Sequence, residues 1–272
     1  MSNDPYADLG NAPEDVQQRL VEAMIARAED PAQVEMRRAY MSKIELPEGA
    51  TGVELGSGPG DVTRDILDVA GAAEALGIEP SPVMVEAARA RHTDKAGLRF
   101  EVGDAKATGL ADASMDLVVL HTLLIHCPGP EEALAEAFRI LRPGGWLAVF
   151  DEDPPSVTAA VHLHDPFHAV VDNLLKVYVH DQWLVRRIPA LLAKAGFEVV
   201  DRDGHLYLPA ANSPYFLTII DRGADTLVAE DVIGEAMAEG IRAEARRRVE
   251  AGAFFGSIAF VSVLARKPME TS

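Results

Sequence analysis

From residue 51 onward, short apolar runs alternate with amphipathic stretches, and the periodicity switches between strand-like and helix-like along the chain. The pattern predicts a strand at 51–55, a helix at 61–70, a strand at 74–79 and a helix at 81–92. Strands at 98–102 and 116–120 follow, then a helix at 130–141 and a strand at 146–151. Two of these strands, Leu117-Val118-Val119-Leu120 and Trp146-Leu147-Ala148-Val149-Phe150, are continuous apolar runs, as burial on both faces requires. Strands alternating with helices imply an α/β fold built on a doubly wound, mostly parallel sheet.

The flanks are patterned differently. Residues 14–43 read as helical, with Val16, Leu20, Ala23, Met24 and Ala28 at three-and-four spacing before the breaker Pro47-Glu48-Gly49. Asp30-Pro31 inside that stretch has the form of a helix cap followed by a first-turn proline. Pro130 should open a helix and Pro143-Gly144-Gly145 should end it. Beyond residue 155 we expect a helix at 183–195 kinked at Pro189 and ended by Gly196, a strand at 197–200 and a last strand at 254–265. A mostly helical insertion should span 212–252. The expected division is an N-terminal helical cap (1–45), an α/β core (46–211), a helical lid (212–252), and a final core strand with its tail (253–272). Insertions in such folds commonly cover a site, so both helical segments are lid candidates.

Composition narrows the functions open to this fold. With 25 Lys and Arg against 43 Asp and Glu the formal charge is −18, which repels phosphate backbones and anionic lipid, so neither nucleic acid nor a membrane is an expected partner. The dense basic run Arg246-Arg247-Arg248 is flanked by Glu244 and Glu250, as on a solvated helix face. Cys127 is the single cysteine, which fits a reducing compartment and excludes an internal disulfide. The first ten residues, MSNDPYADLG, lack the basic-then-apolar form of a secretory signal, and no long apolar run is present, so a cytoplasmic location is expected.

The sharpest chemical signal is Val53-Glu54-Leu55-Gly56-Ser57-Gly58-Pro59-Gly60, directly after one expected strand and before a helix. Glycines there permit a tight turn and close approach of backbone to a ligand, with helix N–H groups behind. A dinucleotide fingerprint would need a third glycine three residues past Gly58, where Asp61 stands, so a nicotinamide-dependent oxidoreductase is disfavoured. Glu79 ends the second strand about 20 residues on, where a carboxylate can accept from both hydroxyls of a ribose. Asp104 follows the third strand, where it could accept from an adenine amino group. Any one of these acids alone is a solvated loop charge; together they gather at the edge of a parallel sheet where ligands bind.

On these motifs, residues 50–153 resemble the class I S-adenosylmethionine-dependent methyltransferases, particularly the small-molecule enzymes of ubiquinone and menaquinone biosynthesis. Glu54, Gly56, Gly58 and Gly60 match that family's E/D-x-G-x-G-x-G motif, and the region around Asp116–His126 and the turn Leu141-Arg142-Pro143-Gly144-Gly145 match as well. The resemblance implies a Rossmann-like sheet of seven strands and S-adenosylmethionine as cofactor, with S-adenosylhomocysteine as product. It further implies cofactor contacts from Glu54, Gly56, Ser57, Gly58, Glu79, Pro80, Asp104 and the backbone of Ala105. Thr63 and His121 would lie near the methionine portion, and Met84 would pack on the adenine.

Methyl transfer is an in-line displacement, so the protein must align a nucleophile, exclude water and, for a hydroxyl or carbon acid, remove a proton. His126, just past the fourth strand, is the candidate base, and Asp151, at the tip of the fifth, could orient it or bind substrate. The bland readings are a histidine that anchors its loop and a helix-cap carboxylate. His162, His164 and His168 invite a metal, but Pro166 interrupts the spacing, so no metal is expected and these histidines should border an acceptor pocket instead. Asp153-Pro154-Pro155-Ser156 lacks the aromatic platform that a flipped base needs. The expectation is transfer to a small organic metabolite at oxygen, carbon or nitrogen. The alternative is a protein of the same fold that uses S-adenosylmethionine for a non-methylating reaction such as a cyclisation. A homodimer is compatible with either.

Overall fold

The computed structural model describes residues 13–209 and 214–269. The first twelve residues of the expected cap, residues 210–213 at the start of the expected lid, and 270–272 of the tail lie outside them. The helices are α1 (Glu14–Glu29), α2 (Pro31–Met41), α3 (Asp61–Asp68), α4 (Pro82–Arg91), α5 (Pro130–Ile140), α6 (Phe167–Tyr178), α7 (Ile188–Lys194), α8 (Pro214–Ala229) and α9 (Glu235–Glu250). The strands are β1 (Thr51–Leu55), β2 (Glu74–Glu79), β3 (Leu98–Val102), β4 (Met115–His121), β5 (Leu141–Glu152), β6 (Glu198–Tyr207) and β7 (Ile258–Arg266).

All seven strands form one sheet in the order β3-β2-β1-β4-β5-β7-β6. Strands β1 to β5 run parallel, and β7 pairs antiparallel with both β5 and β6. The register sets Leu55 beside Ile78 on one side and beside Leu120 on the other. The chain order reverses across β1 and β4, and ligands of open parallel sheets bind at the carboxyl ends of such a switch point. Leu117–Leu120 and Leu147–Phe150 are buried, as helices on both faces demand.

Local punctuation explains where the helices begin. The Ser81 hydroxyl accepts from the Met84 N–H ahead of Pro82, and the Asp30 carboxylate accepts from the N–H groups of Ala32 and Gln33 ahead of Pro31. The structure departs from the sequence reading in several places: α6 is a helix that reading does not contain, and β6 runs on to Tyr207 instead of stopping at 200. Helix α5 stops at Ile140 and the chain is already extended from Leu141, because Met115 pairs with Leu141 and draws the Pro143-Gly144-Gly145 segment into β5. The stretch 183–195 is not one kinked helix but a 3₁₀ turn, Leu184–Arg187, followed by α7, whose first turn tolerates the missing N–H of Pro189. The last strand starts at Ile258, not at 254.

Helix α2 is fastened to the core by charge. The Arg37 Nε donates to Asp65 Oδ2 at 2.6 Å with both side chains buried (8% and 2% exposed), and Arg38 adds a fork to Asp65 Oδ1 at 3.1 and 3.2 Å. The Tyr207 hydroxyl donates to Asp30 at 2.8 Å, tying the start of α2 to β6. At the end of β5, buried Asp151 accepts through Oδ2 from the N–H groups of Leu124 (3.1 Å) and Ile125 (3.4 Å), while its Oδ1 is buried without a hydrogen-bond partner. Burial pushes this carboxyl up to about 7; the His126 charge pulls the other way, and that of Glu152 adds to the rise.

Two outcomes follow. Arg37→Ala leaves Asp65 Oδ2 buried without its partner, with only half-exposed Arg38 still on Oδ1, and should lower the unfolding free energy by about 3 kcal/mol, read by urea denaturation. Between pH 4 and 7 the folded protein holds a proton on Asp151 that the unfolded chain has released, so this group's contribution to stability falls as pH rises. Asp151→Asn keeps an acceptor for both N–H groups and does not titrate. The variant's stability relative to the parent should therefore climb from pH 4 to 7 in a denaturation series, whereas a constant difference would exclude Asp151 as the titrating group.

Candidate cofactor and acceptor site

The glycine loop at the end of β1 is shaped by three left-handed residues, Gly56 (φ 76°), Gly58 (φ 48°) and Gly60 (φ 90°). A Cβ on Gly60 would fall 2.5 Å from the Phe100 ring, so this glycine serves packing as well as the turn. The N–H groups of Gly56 and Ser57 both donate to the Ile78 carbonyl, at 2.7 and 3.1 Å, lacing the loop to β2. Glu79 completes the lacing: its Oε2 accepts from Gly58 N–H at 3.0 Å and its Oε1 from Ser81 N–H at 3.1 Å. Burial raises the Glu79 carboxyl above its ordinary range, and the two N–H bonds oppose that rise. The Ser57 hydroxyl is buried with no hydrogen-bond partner.

Beneath the loop, Glu54 Oε2 accepts from the Thr63 hydroxyl at 2.5 Å, both residues being buried. Burial drives the Glu54 carboxyl well up, with the Thr63 bond pulling down and the Glu79 charge adding to the rise. His121, at the end of β4, hydrogen-bonds Tyr40 of α2 through Nδ1 at 3.0 Å and stacks on Phe150 at 4.5 Å between ring centroids. Burial, seconded by the Arg27 and Arg37 charges, pushes this imidazole well below its ordinary range, so it is neutral near pH 7.

Two clefts meet at this sheet edge. One encloses about 290 Å³ and is lined by Glu54, Gly56, Ser57, Pro59, Asp61, Val62 and His121, with Met24, Arg27 and Ala28 of α1 closing it. The second encloses about 680 Å³, part of it open to solvent. Its sheet side is Thr122, His126, Glu152, Val157 and Ile258; its helical side is α1, the Leu174, Leu175 and Tyr178 face of α6 with Val179, and the Tyr215, Ile219 and Arg222 face of α8. Met24 and Arg27 line both clefts, so α1 is their common wall.

The expected site residues are distributed as follows. Glu54, Gly56, Ser57 and His121 gather in the smaller cleft, Thr63 supports Glu54 from below, and Glu79 holds Gly58. Met84 is fully buried among Leu20 and Val21 of α1, so it packs on the covering helix. Pro80 is exposed, and so is Asp104, whose Oδ1 accepts from Lys106 N–H at 2.9 Å; Ala105 beside it is buried. His126 closes the 3₁₀ turn Leu124–His126 and is half-buried in the larger cleft; Asp151 lies behind it and holds that turn. His162, His164 and His168 are exposed and none lines the cleft, because α6 presents its Leu174–Tyr178 face instead, which corrects the expectation that they border the acceptor pocket.

Sequence reading missed Arg27, Tyr178 and Arg222 as cleft residues. A signal existed for Arg27 alone: it follows Leu20 and Met24 on one stripe of α1, a cation on an apolar face.

Comparison with known proteins places this geometry. Residues 53–149 match the family described as methyltransferase domain. The chain is 31% identical over 62% of its length to an uncharacterized 37.1 kDa protein of transposon Tn4556 from Streptomyces fradiae, covering 50% of that protein. It is 32% identical over 54% of its length to the ubiquinone/menaquinone biosynthesis C-methyltransferase UbiE of Dinoroseobacter shibae, covering 66% of it. The chain thus spans between half and two thirds of these relatives. In structure it is similar to the [4+2]-cyclase SpnF, with a TM-score of 0.60 at 18% identity over 99% of this chain and 98% of that one, a likeness of fold. Residues 53–149 are thus a methyltransferase domain, and the chain has the class I methyltransferase fold and resembles the S-adenosylmethionine-dependent enzymes of the ubiquinone/menaquinone-biosynthesis type.

Proposed function

We propose that the protein transfers the methyl group of S-adenosylmethionine to a small organic acceptor held in the larger cleft. The observation that carries this reading is the shared wall: the glycine-loop cleft and the apolar cleft abut at Met24 and Arg27, so a donor in one faces an acceptor in the other. The residues fit the donor. Ser57 offers a buried hydroxyl without a partner, the loop has no side chains at Gly56 and Gly58 to keep a ligand off its backbone, and Glu79 keeps lone pairs for ribose hydroxyls beyond the two it spends on Gly58 and Ser81. Asp104 and the Ala105 backbone, at the end of β3, would take the adenine edge.

When bound, the cofactor supplies an electrophilic methyl on a sulfonium; the chain supplies alignment, dryness and proton management. Alignment falls to Glu79, which fixes loop and ribose together. Dryness falls to α1, which we read as a lid: the Met24 methyl sits 2.4 Å from where a Cβ on Gly58 would stand, so the helix rests on the loop and must lift for a ligand to enter. His126 is the group suited to take a proton from a hydroxyl acceptor, held at the cleft by the turn that Asp151 anchors. Production of S-adenosylhomocysteine with turnover separates methyl transfer from a non-methylating use of the same cofactor.

Glu79→Ala should weaken S-adenosylmethionine binding by about 1–3 kcal/mol in calorimetry, because loop anchor and ribose acceptor are lost together. An unchanged dissociation constant in a folded variant would remove Glu79 from the site. His126→Ala should lower turnover by roughly 10²-fold or more with cofactor affinity nearly unchanged. If melting temperature and cofactor affinity fall together while turnover holds within a few-fold, His126 anchors its loop and is no base.

A further inference from the structure

The larger cleft reverses the charge of the molecule around it. Over the whole chain acids outnumber Lys and Arg 43 to 25, yet the cleft is lined by two arginines, Arg27 and Arg222, and one acid, Glu152. Its remaining surface is largely apolar, with Leu174, Leu175 and Ile219 on the helical side.

Most of this protein's arginines are held by acids, while Arg89 and Arg266 donate to backbone carbonyls away from the cleft. Arg37, Arg64, Arg91, Arg139, Arg186, Arg242 and Arg246 each pair with a carboxylate. Among the described residues, the recorded partner of half-buried Arg27 is a neutral hydroxyl, that of Thr122, to which Nη2 donates at 2.7 Å. Thr122 directly follows β4 and holds a left-handed backbone (φ 52°), so the guanidinium is delivered to the carboxyl end of the central strands. A guanidinium carries five N–H donors in a fixed fork whose best partner is a carboxylate, and a hydroxyl uses one of them. Arg222 enters from α8 with its guanidinium carbon 5.3 Å from the centre of the Tyr178 ring, and its Nε donates to its own helix at Thr218.

We propose that the acceptor is an anion with an apolar body, its carboxylate held between Arg27 and Arg222 and its hydrocarbon part on α6 and α8. The inference rests on the reading of this cleft as the acceptor site. It accounts for cationic groups on both lid helices of a protein whose general surface repels anions: the local field must overcome the global one. The one acid of the cleft, Glu152, comes from the sheet side at the end of β5, whereas both arginines come from the helical side. When the anion is seated, Arg27 exchanges the Thr122 hydroxyl for a charge-assisted bond and α1 gains a fastening that the ligand itself provides.

The test uses octanoate and octanamide, which share a hydrocarbon tail and differ in charge, titrated calorimetrically into the full chain with and without S-adenosylhomocysteine. Octanoate should bind at least tenfold more tightly than octanamide. Arg27→Gln and Arg222→Gln should each cut that preference below threefold, and Arg222→Gln, which lies outside the glycine-loop cleft, should leave S-adenosylhomocysteine affinity within twofold. Equal affinity of the two probes for the parent protein overturns the inference without reference to any variant. It is also overturned if Arg27→Gln loses S-adenosylhomocysteine affinity and keeps the octanoate preference, because the guanidinium then serves the donor's carboxylate. A protein that prefers octanoate tenfold yet does not bind S-adenosylhomocysteine upholds the anionic cleft and refutes the donor reading instead.

Discussion

Glu79 is buried at the end of β2 and spends both carboxylate oxygens on backbone, one on Gly58 and one on Ser81. Everything at the sheet edge is referred to that clamp. The loop after β1 contains three glycines in left-handed conformations and would sample many shapes alone, since glycine is the residue with most freedom to lose. Tying Gly58 to the next strand converts it into one shape, and the N-cap of α4 is set by the same side chain. The cost is a carboxylate in a desolvated place, offset by two N–H donors.

The α/β core was legible because its strands are buried on both faces. Runs such as Leu117–Leu120 have few other fates in a chain with this spacing, and the pairing of Glu54, the glycine loop and Glu79 is local in sequence. Where tertiary pairing overrode local chemistry, reading from sequence failed: Leu141 was drawn into β5 by Met115, so the proline and two glycines after it do not end a helix. The larger cleft was largely illegible for a related reason. Its walls come from α6, α8 and a helix α1 more than a hundred residues earlier in the chain, and which face of α6 turns inward depends on packing that no periodicity encodes. That is why three exposed histidines looked more promising than Tyr178 or Arg222.

The two N-terminal helices differ in how they are held. Helix α2 carries a buried ion pair to α3, a capping aspartate bonded to β6, and Tyr40 in contact with His121, which makes it part of the core in all but sequence position. Helix α1 rests on Met84 and the glycine loop mainly through apolar side chains, with Arg27 on a threonine hydroxyl and Glu29 on Arg91 at its end. The first arrangement resists local opening and the second is of the weaker kind from which lids are drawn.

Met24 and Arg27 belong to both clefts, and if both clefts bind as proposed, their shared wall makes them thermodynamic partners. Ordering α1 over either cleft lowers the conformational entropy that remains to be lost when the other is filled, so occupancy of one raises affinity at the other, with no displacement of the sheet between them. Linkage makes this reciprocal: the factor by which the first ligand favours the second equals the factor by which the second favours the first. One lightly held helix would thereby give the two proposed sites positive cooperativity.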